Sequence, residues 1–263
     1  MYDYCEAQEL EVDTLIHESG AAQMEINFLH GDAIDLADQV FLFKRTMREA
    51  AHRHGIYATF MAKPMSDEPG SAMHIHQSLE DAEGRNLFGT SEGGNSEQFM
   101  HFIAGLQKYT PAVTALLAPN VNSYRRLTFG ESAPRNVQWG VENRTCGLRV
   151  PFSEPSARRV ENRFAGADAN PYLALAATLA CGYLGMLEKL EPMQEMKASA
   201  YDLPYSLPRS LEESLSHLEQ CEPIKDMLGE RFIRAFVAVK RKEYETYFGV
   251  ISRWEREFLL LNV

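Results

Sequence analysis

The run "ANPYLALAATLACGYLGML" at residues 169–187 limits most tightly what this chain can fold into. It is apolar around its whole circumference, so as a helix it cannot lie on a wet surface. It must be enclosed by protein or cross a membrane. Asn170 and Pro171 stand at its start, polar residues follow closely, and no second run of this kind exists. The reading is a buried helix. A chain of 263 residues can supply the surrounding core in one or two domains. Apolar residues at 45% and charged residues at 24% fit a soluble globular protein. A net charge of −11, from 26 basic and 37 acidic residues, argues against a general nucleic-acid binder, which needs a basic footprint. Cys5, Cys146, Cys181 and Cys221 are scattered without zinc spacing, and read as reduced thiols of a cytoplasmic protein. The acidic opening "MYDYCEAQELEVD" lacks the apolar core of a signal peptide. No membrane association is expected.

Along the chain, residues 10–18 and 21–30 read as two strands joined by a turn containing Gly20. Residues 34–54 carry Leu36, Val40, Phe43 and Met47 on one helical stripe. Strands are expected at 56–64 and 70–79, the second followed by a hairpin turn within "EDAEGRNLF". A helix covers about 94–117, with an interruption near Pro111, and a loop-rich region holds Arg125, Arg126 and Arg135. Strands at 147–151 and 158–164 precede the buried helix, after which the chain is mostly helical. Strands followed by helices give an α+β fold, mainly an antiparallel sheet flanked by helices, with a helical C-terminal region. The pieces fit one domain over residues 1–263.

The strands have unusual polar faces. In "GSAMHIHQSL" (70–79), alternation puts His74, His76 and Ser78 on one side and Met73, Ile75 and Leu79 on the other. In "QMEINF", Glu25 and Asn27 oppose Met24, Ile26 and Phe28, and Glu18 ends the preceding strand. In "RRVENRF", Arg159, Glu161 and Arg163 form one row. Each row alone is more often a solvated face than a site. Together Glu18, Glu25, His74 and Glu161 are ligand types suited to Mg²⁺ or Mn²⁺. Arg126, Arg144, Arg149, Arg159 and Arg163 offer planar forks for carboxylate or phosphate. Hard-cation ligands beside many arginines suit phosphoryl transfer from a nucleotide to a carboxylate. No GxxxxGK[ST] loop is present, so a P-loop enzyme is excluded.

"ATFMAKP…GSAMHIHQSL", "NRTCGLRVP", "RRVENRF" and "ANPYLALAA" resemble, in order, the motif series of the glutamine synthetase catalytic domain. "LIHESGAAQMEINFLHGD", "EPGSAMHIHQS" and "NSYRRLTFG" look most like its γ-glutamylpolyamine (γ-glutamylputrescine) synthetase branch. The resemblance implies two metal sites for Mg²⁺ or Mn²⁺, with Glu18 and Glu25 at the first and His74 and Glu161 at the second. It implies ATP binding by His76, Ser78, Arg149 and Arg159. Glutamate would be held by Arg126, Arg163 and the Gly70 backbone, with Arg144 between nucleotide and γ-carboxylate. Arg144 and Arg149 would be the catalytic residues. The implied reaction is formation of a γ-glutamyl amide from L-glutamate, ATP and an amine such as putrescine, through γ-glutamyl phosphate.

Two departures from the family's pattern bear on the amine. Ser132 stands where glutamine synthetases proper carry a flap glutamate, with Glu131 one position earlier, and Pro69 replaces an asparagine that contacts glutamate. A larger amine than ammonia is expected, the alternatives being ammonia itself or a non-catalytic relative. The resemblance also implies a β-grasp domain and an "ExE" strand ahead of the part matched here. This chain is thus expected to be the C-terminal portion of a protein that assembles as a homo-oligomer of stacked rings.

Overall fold

The computed structural model describes residues 1–129 and 132–263. A short helix α1 (Tyr2–Glu6) leads into strands β1 (Val12–His17) and β2 (Met24–Phe28), then helix α2 (Ala33–Arg53). Asp32 caps α2 by accepting from the backbone N–H groups of Ile34 and Asp35. The antiparallel pair β1–β2 packs Ile26 and Phe28 over Phe43 and Met47 of α2, with Cys5 and Leu10, as a small separate core.

The main sheet contains β3 (Ile75–Gln77), β4 (Trp139–Val141), β5 (Leu148–Val150) and β6 (Val160–Asn162) in the order β3-β6-β5-β4. β6 is antiparallel to both neighbours, whereas β4 runs parallel to β5. One face of this sheet lies on the large core. That core is built around α3 (Glu97–Leu117) and α5 (Pro171–Leu187), which is the apolar run. Asn170 caps α5 through the N–H of Leu173, with Pro171 in the first turn, where its missing N–H costs nothing. The two helices cross backbone to backbone at Gly105 and Gly185: a Cβ on Gly105 would lie 2.7 Å from the Gly185 Cα. Phe102 fills the space over Gly182. Between them in sequence comes α4 (Val121–Phe129), and α6 (Leu211–Gln220), α7 (Glu222–Leu228), α8 (Glu230–Phe248) and α9 (Arg253–Leu259) complete the chain. No helix is long and apolar enough to cross a membrane among the described residues.

Four expectations are corrected. Residues 56–64 form no strand, because no partner strand lies beside them. The strand expected over 70–79 is paired regularly only over Ile75–Gln77, with a lone bridge at Ala72. α3 passes through Pro111 without interruption, since packing on both sides holds the turn that lost a hydrogen bond. Arg125 and Arg126 lie on α4 and not in a loop. The hairpin at 80–86 is as expected, turning on Gly84 with φ +75°.

Candidate active site

The sheet register generates the site. His76 pairs with Glu161, and Glu161 pairs with Arg149, so three side chains from β3, β6 and β5 form one cross-strand row. The opposite face is the core: Asn162 donates to Thr178 Oγ1 of α5 at 2.8 Å, and that hydroxyl donates to Gln77 Oε1 at 2.7 Å. Alternation therefore forces the charged row outward while anchoring the strands to the apolar helix.

Glu161 is the hub. Its side chain is only 3% exposed, yet both oxygens are engaged. Oε1 accepts from Arg163 Nη1 at 2.7 Å and lies 3.3 Å from His74 Nδ1, and Oε2 accepts from Arg149 Nη1. Burial raises a carboxyl pKa, but Arg163, His74, His76 and Arg149 outweigh it and hold Glu161 below the ordinary glutamate range. Crowding by the sheet and then the charge of Arg163 hold the His74 imidazole below the ordinary histidine range, although its side chain is 30% exposed. A neutral His74 that donates through Nδ1 keeps a lone pair on Nε2. His76 accepts from Arg159 Nε at 3.2 Å, and Ser78 is exposed on the same side.

Arg149 is held from its other side by Glu142, whose Oε2 accepts from Nη2 at 3.2 Å. The Glu142 backbone has φ +50°, and its Oε1 accepts from the Phe152 N–H at 2.5 Å. Phe152, then Arg149, lowers its pKa. Sequence reading missed Glu142, because it lies in a turn after β4 and belongs to no alternating row. Arg144, also in that turn, is exposed and makes none of these contacts.

Arg126 is buried, with 4% exposure, and its guanidinium donates to the carbonyls of Phe164 at 2.9 Å and Arg163 at 2.8 Å. Burial lowers its pKa to about 10. A Cβ on Gly70 would meet the Arg126 stem at 2.8 Å, so Gly70, Arg126 and Arg163 do converge. Gln23, in the β1–β2 turn, donates to the Gly70 carbonyl at 3.1 Å and to Ser71 Oγ at 3.0 Å. That tie brings the hairpin bearing Glu18 and Glu25 to the same side. Burial first, then the charge of Glu18, raises the Glu25 pKa; the charge of Glu161 adds to this.

Among the described residues no three His, Cys, Asp or Glu groups converge on one point. Glu18 and Glu25 nevertheless bring two carboxylates together with no cationic side chain lowering the Glu25 pKa, which suits a hard cation. His74 and Glu161 are a mixed pair whose carboxylate is shared with two arginines. Two cavities of about 410 and 430 Å³ lie elsewhere, one apolar around Phe102 and Tyr183, the other beside Lys44 and Phe60. Pro69 and Ser132 are described; Gly130 and Glu131 lie outside the described residues.

The glutamine synthetase catalytic-domain profile matches residues 1–259. The chain belongs to the glutamine synthetase family. It is similar to a glutamine synthetase of Pyrococcus abyssi, 40% identical over 259 residues, covering 95% of this chain and 58% of that one. It is also similar to the γ-glutamylputrescine synthetase PuuA of Escherichia coli, 36% identical over 264 residues, covering 99% and 56%. The solved complex of GmaS with ADP superposes with a TM-score of 0.89 at 33% identity, covering 98% of this chain and 62% of that one. The chain therefore spans somewhat over half the length of these relatives.

Proposed function

We propose that this chain forms the catalytic face of an ATP-dependent ligase that makes a γ-glutamyl amide from L-glutamate and an amine, with a polyamine such as putrescine as the acceptor. The observation that carries this reading is the row His76–Glu161–Arg149, flanked by His74, Arg159, Arg163 and the Arg126–Gly70 contact. Its cations are of the kind that holds phosphate and carboxylate oxygens. Family membership and the putrescine ligase among the relatives support the reaction class, and the nucleotide seen on GmaS supports the ATP assignment.

In this reading Arg159, His76 and Ser78 hold the nucleotide phosphates, and Arg149, fixed between Glu142 and Glu161, faces the transferring phosphoryl group. Arg163 and the Gly70 backbone, steadied by Arg126, orient the glutamate α-carboxylate. Arg144 is unpaired with any carboxylate in the sheet row, and so is free to meet the γ-carboxylate as negative charge moves onto it. Glu18 and Glu25 would hold one Mg²⁺ or Mn²⁺ ion, and His74 with Glu161 would contribute to a second. When bound, such ions offset the negative charge of the phosphates. The neutral amine attacks the acyl phosphate carbon, phosphate leaves with the bonding pair, and the nitrogen loses a proton. The protein acts in the cytoplasm as a homo-oligomer of stacked rings. In the full-length protein, ADP release with glutamate and ATP is expected to be faster with putrescine than with ammonium at equal concentration. Clearly faster turnover with ammonium replaces the polyamine reading by glutamine synthesis, and none with either overturns the ligase.

A further inference from the structure

The cavity of about 430 Å³ beside Lys44 and Phe60 gathers two cations that have no carboxylate bound to them. Helix α2 lines it with Phe41, Lys44 and Arg48, which share a face through their spacing of three and four residues. Phe60 forms a side wall, and Asp168 to Pro171, leading into α5, complete the lining. The Arg48 guanidinium lies over the Phe60 ring at 4.9 Å, and Lys44 Nζ lies 5.7 Å from the same ring. Lys44 donates to the Ala169 carbonyl at 2.7 Å, which leaves two of its three N–H groups. A guanidinium set on a ring face keeps its N–H edge for a carboxylate. Neither cation forms an ion pair among the described residues. The acid of the lining, Asp168, is engaged elsewhere: its Oδ2 accepts from Asn120 Nδ2 at 2.8 Å and from Ser123 Oγ at 2.6 Å, and its Oδ1 lies against Gly166. Burial pushes the Lys44 ammonium down to about 8; the charge of Asp168 opposes this and that of Arg48 adds to it.

We propose that this cavity binds an aromatic monocarboxylate, with its head on Lys44 and Arg48 and its ring among Phe41, Phe60 and Pro171. Two cations and one acid leave the lining a single positive charge, the complement of a monoanion. A doubly charged phosphate would keep an unbalanced charge against apolar walls. The free N–H groups of Arg48 and Lys44 suit the two oxygens of one carboxylate. Small-molecule sites run to roughly 300–1,000 Å³, so one ring with a short acid arm fits a cavity of this size. An anion seated here also offsets the crowding of Lys44 by burial and by Arg48. None of these residues belongs to the row around Glu161, so the site is separate from the ligase chemistry and does not rest on it.

Titration calorimetry of the full-length protein with phenylacetate should show one saturable site per chain. Phenylacetamide keeps the ring and lacks the charge, and should bind at least about tenfold more weakly. Arg48 is exposed, so Arg48→Gln should weaken phenylacetate about tenfold and leave the melting temperature unchanged. Lys44→Gln should weaken it at least as much. If that variant fails to fold, because it also loses the tie to Ala169, Arg48→Gln decides alone. Arg159→Gln, in the charged row, should leave phenylacetate binding within about twofold of wild type. Absence of saturable binding overturns the proposal, as does equal binding of phenylacetamide. Binding that is lost in R159Q and kept in R48Q puts the carboxylate on the charged row and overturns it too.

Discussion

Glu161 and Glu25 are carboxylates on neighbouring sheets, and their surroundings drive them in opposite directions. Glu161 is the more deeply buried, yet its pKa is depressed, because Arg163, two residues along the chain, and Arg149, opposite it on β5, both pair with it. Glu25 is half-buried, and its pKa is raised, first by that burial and then by the charge of Glu18 beside it. The first brings its own positive charge with the fold. The second is left wanting one. A site that must handle phosphates can use both arrangements: built-in cations that hold anions permanently, and a carboxylate pair that admits a mobile cation.

The largest expected effect comes from breaking the compensated side. Glu161→Ala leaves Arg149 and Arg163 without their shared buried partner, and is expected to cost about 3–5 kcal/mol in urea unfolding. Glu25→Gln under the same conditions, with chelator present, is expected to change stability by no more than about 0.5 kcal/mol. Equal losses from the two would show that the contrast is only apparent.

A metal titration sharpens the comparison at an intermediate scale. At Mn²⁺ near 100 times the dissociation constant, linkage stabilises a one-site protein by about 2.7 kcal/mol, read as a melting shift of the full-length protein. Glu18→Gln and Glu25→Gln should each remove most of that shift at the first site. His74→Ala should weaken Mn²⁺ binding more than it lowers stability without metal. An unchanged titration in all three would remove the metal assignment.

The smallest effect is in pH dependence without metal. The depressed pKa of Glu161 contributes stability above the ordinary glutamate pKa, lost as pH falls through its folded value. Glu25, with a raised pKa, contributes stability below the ordinary value, lost as pH rises through its folded one. The gap between wild type and Glu161→Gln should therefore close on acidification. The gap for Glu25→Gln should turn in that variant's favour as pH rises past the ordinary glutamate pKa. Urea midpoints across that range measure both.

Alternation along β3 and β6 was enough to place His76 and Glu161 on one polar face, and the apolar run was enough to fix α5. What alternation does not carry is partnership. The row Arg159–Glu161–Arg163 alone reads more readily as a solvated edge; the folded contacts show Glu161 enclosed by Arg163 and by Arg149 of β5. Glu142 sits in a turn and acts through a tertiary neighbour, so it leaves no periodic trace. Pro111 illustrates the opposite error, a local rule overridden by packing. Residues 56–64 have strand-forming side chains, but a strand exists only where another is beside it.

The glycine crossing of α3 and α5 is also a long-range junction that the charged row depends on. Gly105 and Gly185 are about 80 residues apart in the chain, and β4, β5 and β6 all lie in the segment between them. Bringing those glycines together closes a long loop, an entropic cost met before any distant contact compensates. Arg149 and Arg163 stand 12 and 2 residues from Glu161, so their pairing with it closes a far shorter loop than the helix crossing does.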